Sequence, residues 1–362
     1  MKIVIVSRTC FPAKAPRSYR ATELAKEFVR QGHDVTLYAL LGDYDYTEIE
    51  RSTGVRFKNL GKARFGMPSN TQKIGYGLKY RIIRFLGAPF AFPDSAMVPM
   101  VKNAIRQEGK IDLLITVAVP HIIHFAASFS DLSNVKSWIA DCGDPFMGNP
   151  MNKPPFYFEW FERRWCKKCN YITIPVEDAI NAYYPEYKEK IKVIPQGFSF
   201  TNNKLSDYVP NKVPTFAYSG VFYKDLRDPS KFLEYLINEK KDFKFIIYTK
   251  GVGFLKPLVD RLGDKIEIRN YVSREQLLFE LSSVDSLINV TNKSGVQQPS
   301  KLIDYALTKR PIINISTDFT SVEKDIFEEF LVADYSRQHV INNIDQYNIV
   351  NVANRFLDLA KK

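Results

Sequence analysis

The chain opens with the apolar run KIVIVS, continues through RSYRATELAKEFVRQGH and returns to DVTLYAL. A run with so little polar interruption suits a strand buried on both faces, and such strands belong to parallel sheets. The next segment repeats apolar residues at helical spacing, with Ala21, Leu24, Ala25 and Phe28 on one face, and Gly32 closes it. Strand, helix and strand in this order are the strongest constraint on the fold, because parallel neighbours need a crossover and an α-helix supplies it. IDLLITVAV, KSWIADCG, YITIP and IKVIPQG extend the series. After Gly197 the polar, turn-rich FSFTNNKLSDYVPNKVP reads as a linker between domains. A second series follows, with TFAYSG, FKFIIYTK, KIEIRNY, SLINV and PIINIS as strands. The expected architecture is α/β, with two Rossmann-like parallel-sheet domains over 1–198 and 199–345 facing across a cleft. The helical segment 346–362 is expected to pack back on the first domain.

A length of 362 residues, 45% of them hydrophobic and 25% charged, suits two buried cores. The formal charge of +11 calls for an anionic partner. A phosphorylated small molecule and a membrane surface both qualify. Nucleic acid is the weakest of the three candidates and is not the expected partner, since no zinc-finger, RRM or basic-zipper pattern appears and the cations are spread out. Four cysteines suggest no disulfide framework. Cys166 and Cys169 form a CxxC without a second ligand pair, so they read as plain thiols of a reduced, cytoplasmic protein, and no metal is expected. IIRFLGAPFAF is too short to span a bilayer and is broken by Pro89. MKIVIVSRTC reads as an opening strand, not a signal peptide. Between the first strands lies Gly61 to Ser95, where Lys and Arg mix with Phe, Tyr and Gly. It reads either as a long surface excursion or as an acceptor lid or membrane-facing patch.

The turn after the first strand, SRTCFPAKAPRSYR, contains no glycine, which speaks against a dinucleotide fingerprint, and no P-loop occurs. The second half carries the better anion signal. In YSGVFYKDLRDPSKFLEYL a strand ends at Ser219-Gly220, where glycine lets backbone approach a ligand. Lys224 and Arg227 follow, and Asp228-Pro229-Ser230 begins a helix, with Asp228 as its N-cap and Pro229 at its first position. Arg227 either offers a planar fork to a phosphate or is a solvated cation. SGVQQPSKLIDYALTKRPIINIS places Ser300 and Lys301 at the head of another helix, with Asp304 one turn on. Either the helix head and Lys301 take phosphates while Asp304 takes ribose hydroxyls, or Lys301 and Asp304 form an i, i+3 ion pair.

These segments resemble the family 4 glycosyltransferases. PSKLIDYALTKRPII is similar to their P-[SN]-K-L-x-E-Y-x-x-x-x-[KR]-P-[VI]-I signature, and YSGVFYKDLRDPSKFLEYL to their G-x-x-Y-x-x-x-R-[DN]-P segment. VIPQGF resembles their I-P-N-G. PHIIHFAASF and WIADCGDPF resemble P-H-x-x-[HL] and W-I-x-D-x-R-D-P-W. CFPAKAPRSYRATELAKEFVRQGHDVTLY is similar to their opening turn, helix and second strand. The motifs run in family order from Met1 nearly to the C-terminus.

The resemblance implies the GT-B fold and a retaining sugar transfer from a nucleoside-diphosphate sugar to a glycan or lipid-linked acceptor, usually without a metal ion or other cofactor. It implies that Arg227 and Lys301 neutralise the leaving diphosphate, and that Gly220, Ser300 and Leu302 line the nucleotide-sugar. Asp304 would bind the ribose. His121 would face the reacting sugar, or else fill a structural hydrogen bond, while Asp141 and Asp144 would line the acceptor side or serve as turn formers. A peripheral position on the inner face of the cell membrane would suit such an enzyme. Three features depart from the family. Val296 stands at the first glutamate of E-x7-E, Cys142-Gly143 replaces a hydrophobe and arginine, and Ala15-Pro16 replaces a double glycine. The first two motivate a second reading, a non-catalytic GT-B protein that binds a nucleotide-sugar or a partner subunit. A sugar-nucleotide epimerase is a third, with only Asp141 and Asp144 on offer to move protons.

Overall fold

The computed structural model describes residues 1–63, 67, 69–70, 82, 85–91, 93–149, 154–201, 204–291 and 301–361. The chain divides into two compact units, one of Met1–Ser199 with Asp345–Lys362 and one of Phe200–Ile344. Both are α/β with wholly parallel sheets, the fold class expected from the strand series.

The first unit begins β1 (Lys2–Val6), α1 (Pro16–Arg30), β2 (Asp34–Ala39), α2 (Thr47–Thr53) and β3 (Arg56–Asn59). It continues α3 (Met97–Gln107), β4 (Ile111–Ala118), α4 (Ile122–Ser128), β5 (Val135–Cys142), α5 (Phe158–Lys168), β6 (Tyr171–Ile174) and β7 (Ile191–Val193). The strand order is β3-β2-β1-β4-β5-β6-β7. Alternate side chains of β1 serve opposite faces of the sheet, as the two-residue period of a strand requires. Ile3 and Ile5 join Leu24 and Phe28 of α1, while Val4 and Val6 join Met97 and Val101 of α3. All four helix positions singled out above, Ala21, Leu24, Ala25 and Phe28, are fully buried. Strand β3 has no counterpart in the sequence reading. It is a four-residue edge strand with one buried side chain, Phe57, too little apolar pattern to announce itself.

Glu108, just beyond α3, gathers the edge of this sheet. Its carboxylate accepts from Lys2 (2.8 Å), Lys58 (2.7 Å) and the Tyr38 hydroxyl (2.7 Å), on β1, β3 and β2. Burial alone would raise its pKa, but these three donors outweigh it and hold the carboxyl at about 2. A depressed folded pKa contributes stability that is present above the unfolded value and lost as pH falls through the folded one. Glu108→Gln should therefore flatten the acid limb of the stability curve between pH 4.5 and about 2. Urea melts across that range check this, and an unchanged limb would refute it.

The second unit runs β8 (Thr215–Ser219), α6 (Ser230–Asn238), β9 (Lys244–Tyr248), α7 (Lys256–Leu262), β10 (Ile266–Arg269) and α8 (Arg274–Ser282). Then come β11 (Ser286–Val290), α9 (Lys301–Leu307), β12 (Ile312–Ile315) and α10 (Ser321–Phe330), in the sheet order β10-β9-β8-β11-β12. One face is aromatic, with Phe216, Phe232, Phe245 and Phe327 packed together, and the other buries Tyr248, Leu302 and Tyr305. After it, α11 (Ile349–Lys361) belongs to the first unit, where Val352, Ala353 and Phe356 complete the core beside α1. Among the described residues no helix is long and apolar enough to cross a membrane.

Candidate functional site

In the second unit the predicted residues collect beyond the C-terminal end of β8, where α/β sheets bind ligands. The Tyr305 hydroxyl accepts a hydrogen bond from the Ser219 amide (2.7 Å), tying α9 to the end of that strand. Gly220 follows with φ +148°, and a β-carbon there would lie 2.9 Å from the Tyr218 hydroxyl. Tyr218 is fully buried, so glycine is what the turn allows. The Tyr218 ring stacks on Phe222 with centroids 4.5 Å apart, and Lys301 Nζ stands 4.1 Å from its centroid. That ammonium is buried and has no hydrogen-bond partner among the described residues. Burial first, and then the charge of Arg227, push its pKa well below the ordinary lysine value.

Arg227 reaches the same turn, with its guanidinium 3.5 Å from the Val221 carbonyl and 5.9 Å from the Tyr223 ring centroid. Helix α6 starts one residue later than expected, so its N-cap is Pro229, without a side-chain cap, and not the neighbouring Asp228. The Asp228 Oδ1 accepts from the Ser230 amide (2.9 Å) and hydroxyl (2.5 Å).

Asp304 does not pair with Lys301. Its Oδ1 is taken by Arg274, at 2.8 Å from Nε and 2.7 Å from the terminal nitrogen. The i, i+3 ion pair is thus replaced by a tertiary one, because Lys301 lies over Tyr218 instead. Burial raises the Asp304 pKa and Arg274 opposes that rise. Leu302 is buried in the core, so only its backbone is left for a ligand. Ser300 and Val296 lie outside the described residues, as does much of the Gly61–Ser95 stretch.

Sequence reading missed Arg274 and Tyr218. Arg274 opens α8, whose N-cap Ser273 accepts from the Gln276 amide (3.2 Å). The S-x-x-Q spacing announces that helix start, but nothing local points to a carboxylate thirty residues on.

His121, Asp141 and Asp144 stand in the first unit, at the C-terminal ends of β4 and β5. His121 is buried, packed on Phe146 with centroids 4.9 Å apart, and its Nδ1 has no partner among the described residues. Burial lowers its pKa to about 4, against a smaller opposing effect of a backbone hydrogen bond with Asp144, so the ring is neutral at pH 7. Asp144 is exposed. Asp141 is not. Its carboxylate accepts from Arg20 (2.9 and 3.2 Å) and Thr173 (2.8 Å), with Arg17 at 3.6 Å. These contacts make it an anchor of the sheet. A β-carbon at Gly143 would lie 2.8 Å from Arg17 Nε, so Arg17 occupies the space a side chain would need there.

Cys142, Cys166 and Cys169 are buried free thiols. Among the described residues, one group has metal-ligand proximity: His121, His124 and Cys142 offer donor atoms within 4.8 Å of one another. Hydrogen-bond geometry already engages His124, whose Nδ1 lies 2.7 Å from Thr116 Oγ1 and whose Nε2 lies 3.4 Å from Cys142 Sγ.

No protein-family model matches the chain, and no curated protein matches its sequence. Solved structures do. Anabaena Alr3699/HepE in complex with UDP is 10% identical, with 100% of each chain covered and a TM-score of 0.64. A glycosyltransferase from Rickettsia africae ESF-5 is 13% identical, covering 99% of this chain and 97% of that one, with a TM-score of 0.63. The lipopolysaccharide outer core galactosyltransferase WaaB is 10% identical, with 99% of each chain covered and a TM-score of 0.59. At such identities the likeness is one of fold, and the fold is the GT-B fold that the sequence resembles.

Proposed function

We propose that the chain is a glycosyltransferase that moves a sugar from a nucleoside-diphosphate donor, with retention, to a glycan or lipid-linked acceptor. Such a reaction belongs to surface polysaccharide or glycoconjugate assembly, at the cytoplasmic face of a membrane. The observation that carries this reading is Lys301: a buried amino group without a hydrogen-bond partner among the described residues, its proton held weakly because of burial and the charge of Arg227. An anion beside these two basic groups would hold the proton on Lys301, and a diphosphate supplies two phosphates' worth of charge. The fold shared with a UDP complex supports that choice.

In this reading Arg227 and Lys301 stabilise charge developing on the leaving diphosphate. The Gly220 turn, the backbone of Leu302 and the backbone or hydroxyl of Ser300 receive the donor, and Asp304 binds the ribose with Arg274 orienting it. The neutral His121 faces the sugar, and Asp144 serves the acceptor side. Asp141 acts through Arg20 and Arg17 by holding the strand end that carries Asp144.

A thermal-shift titration with UDP, GDP, ADP and CMP, without added metal, tests the donor site. A ligand that binds the native state alone adds about 2.7 kcal/mol at a hundredfold excess over Kd. One nucleoside diphosphate should raise the melting temperature selectively, and Asp304→Ala should abolish the shift. No shift with any of them would leave the fold without its donor site. The second reading, a GT-B protein that binds without turnover, draws on Asp304 being already paired to Arg274. Nucleotide binding with no transfer from any matching sugar donor would favour it.

A further inference from the structure

Helix α5 and the turn before it present large apolar side chains outward. Phe156 is 84% exposed and Trp160 57%, with Tyr157 exposed between them. A second segment joins this face, since the Tyr157 hydroxyl donates to the Pro89 carbonyl. Around Pro89, Phe85 is 81% exposed, and Leu86 and Phe90 are largely so. Single exposed apolar residues are ordinary, but a group assembled from two segments marks an interaction surface.

The rim is basic. The Arg164 guanidinium lies 4.3 Å from the Phe129 ring centroid and 5.6 Å from that of Trp160. Lys167 and Lys168 are exposed one turn on. Phe129 also borders a groove of about 510 Å³ lined by Lys102 and Arg106, with Asp131 as its acid. Of the acids on α5, Glu159 is committed to Arg163 at 2.7 Å and Glu162 is buried.

We propose that this face seats on an anionic phospholipid bilayer. Phe156, Trp160, Phe85, Leu86 and Phe90 enter the head-group and acyl boundary, Tyr157 stays at head-group level, and the flanking cations meet lipid phosphates. Aromatic and apolar side chains beside lysine and arginine are what an interfacial site requires. A second copy of the chain is the poorer occupant, because a two-fold contact would set this basic rim against itself. The inference deepens the proposed reading, in which a lipid-linked acceptor lies in the same surface, but its test uses no sugar donor. Failure here therefore leaves the nucleotide result untouched.

Trp160 is a built-in probe, because the other tryptophans, Trp138 and Trp165, are buried. Phosphatidylglycerol–phosphatidylcholine vesicles with brominated acyl chains should quench its fluorescence and sediment with the protein. Pure phosphatidylcholine vesicles should bind it far less. Phe156→Ser with Trp160→Ser should weaken sedimentation with the anionic vesicles at least about tenfold, with the melting temperature retained. Absence of quenching in the unaltered chain would overturn the proposal. So would equal binding to neutral vesicles, or undiminished binding of the double variant. Concentration-dependent self-association that shields Trp160 without lipid would overturn it as well.

Discussion

Replacing Lys301 by alanine is expected to slow sugar transfer by about two orders of magnitude, the usual cost of removing one fixed charge from a site of developing charge. The argument starts from its surroundings. Lys301 Nζ sits 4.1 Å from the centre of the Tyr218 ring, buried and without a hydrogen-bond partner among the described residues. Burial and Arg227 hold its pKa well below the ordinary lysine value, so the unliganded site weakly retains that proton. A bound diphosphate removes the penalty and raises the pKa again. Binding should then take up a proton at pH values between the two, and affinity should fall as pH rises through that window. Calorimetry with UDP in two buffers of different ionisation enthalpy reads the uptake directly. An alanine variant that turns over at the normal rate, with no proton uptake in the parent chain, would remove Lys301 from the site.

Asp141→Ala should cost about 3–5 kcal/mol of stability, because it strands a buried charge. Arg20 is 2% exposed, and besides Asp141 its guanidinium donates to the Ile194 (3.2 Å) and Pro195 carbonyls. It also lies 5.1 Å from the centre of the Phe356 ring. One ion pair therefore ties together α1, β5, the turn after β7 and α11. Burial alone would raise the Asp141 pKa, but Arg20 and Arg17 outweigh it and hold the carboxyl below the usual range. Its contribution is thus complete above an ordinary aspartate pKa of about 4 and fades as pH falls through the depressed value. Replacing Arg20 by methionine in the same chain should recover part of the loss, since the orphaned charge goes with it. Denaturant melts of the two variants decide the matter, and a single-variant loss below about 1 kcal/mol would refute the anchoring role.

Much of this organisation is short-range and therefore readable along the chain. The apolar runs of β1, β4, β8 and β11, the helical face of α1 and the glycine after Ser219 depend on neighbours a few residues away. The order of the motifs pointed to the same fold. The candidate site was legible only as residue types: a lysine at the head of a helix, an aspartate one turn on and an arginine ahead of another helix. Their partners were not. Lys301 and Asp304 have spacing for a pair, yet the fold offers one a tyrosine face and the other an arginine from α8. Asp141 ends its strand as a ligand residue would, but it meets Arg20 across 121 positions of chain. Local periodicity and caps act within a turn or two. Which charges meet is decided only when parallel strands and their crossovers bring distant segments within a few ångströms, where burial makes every pairing count.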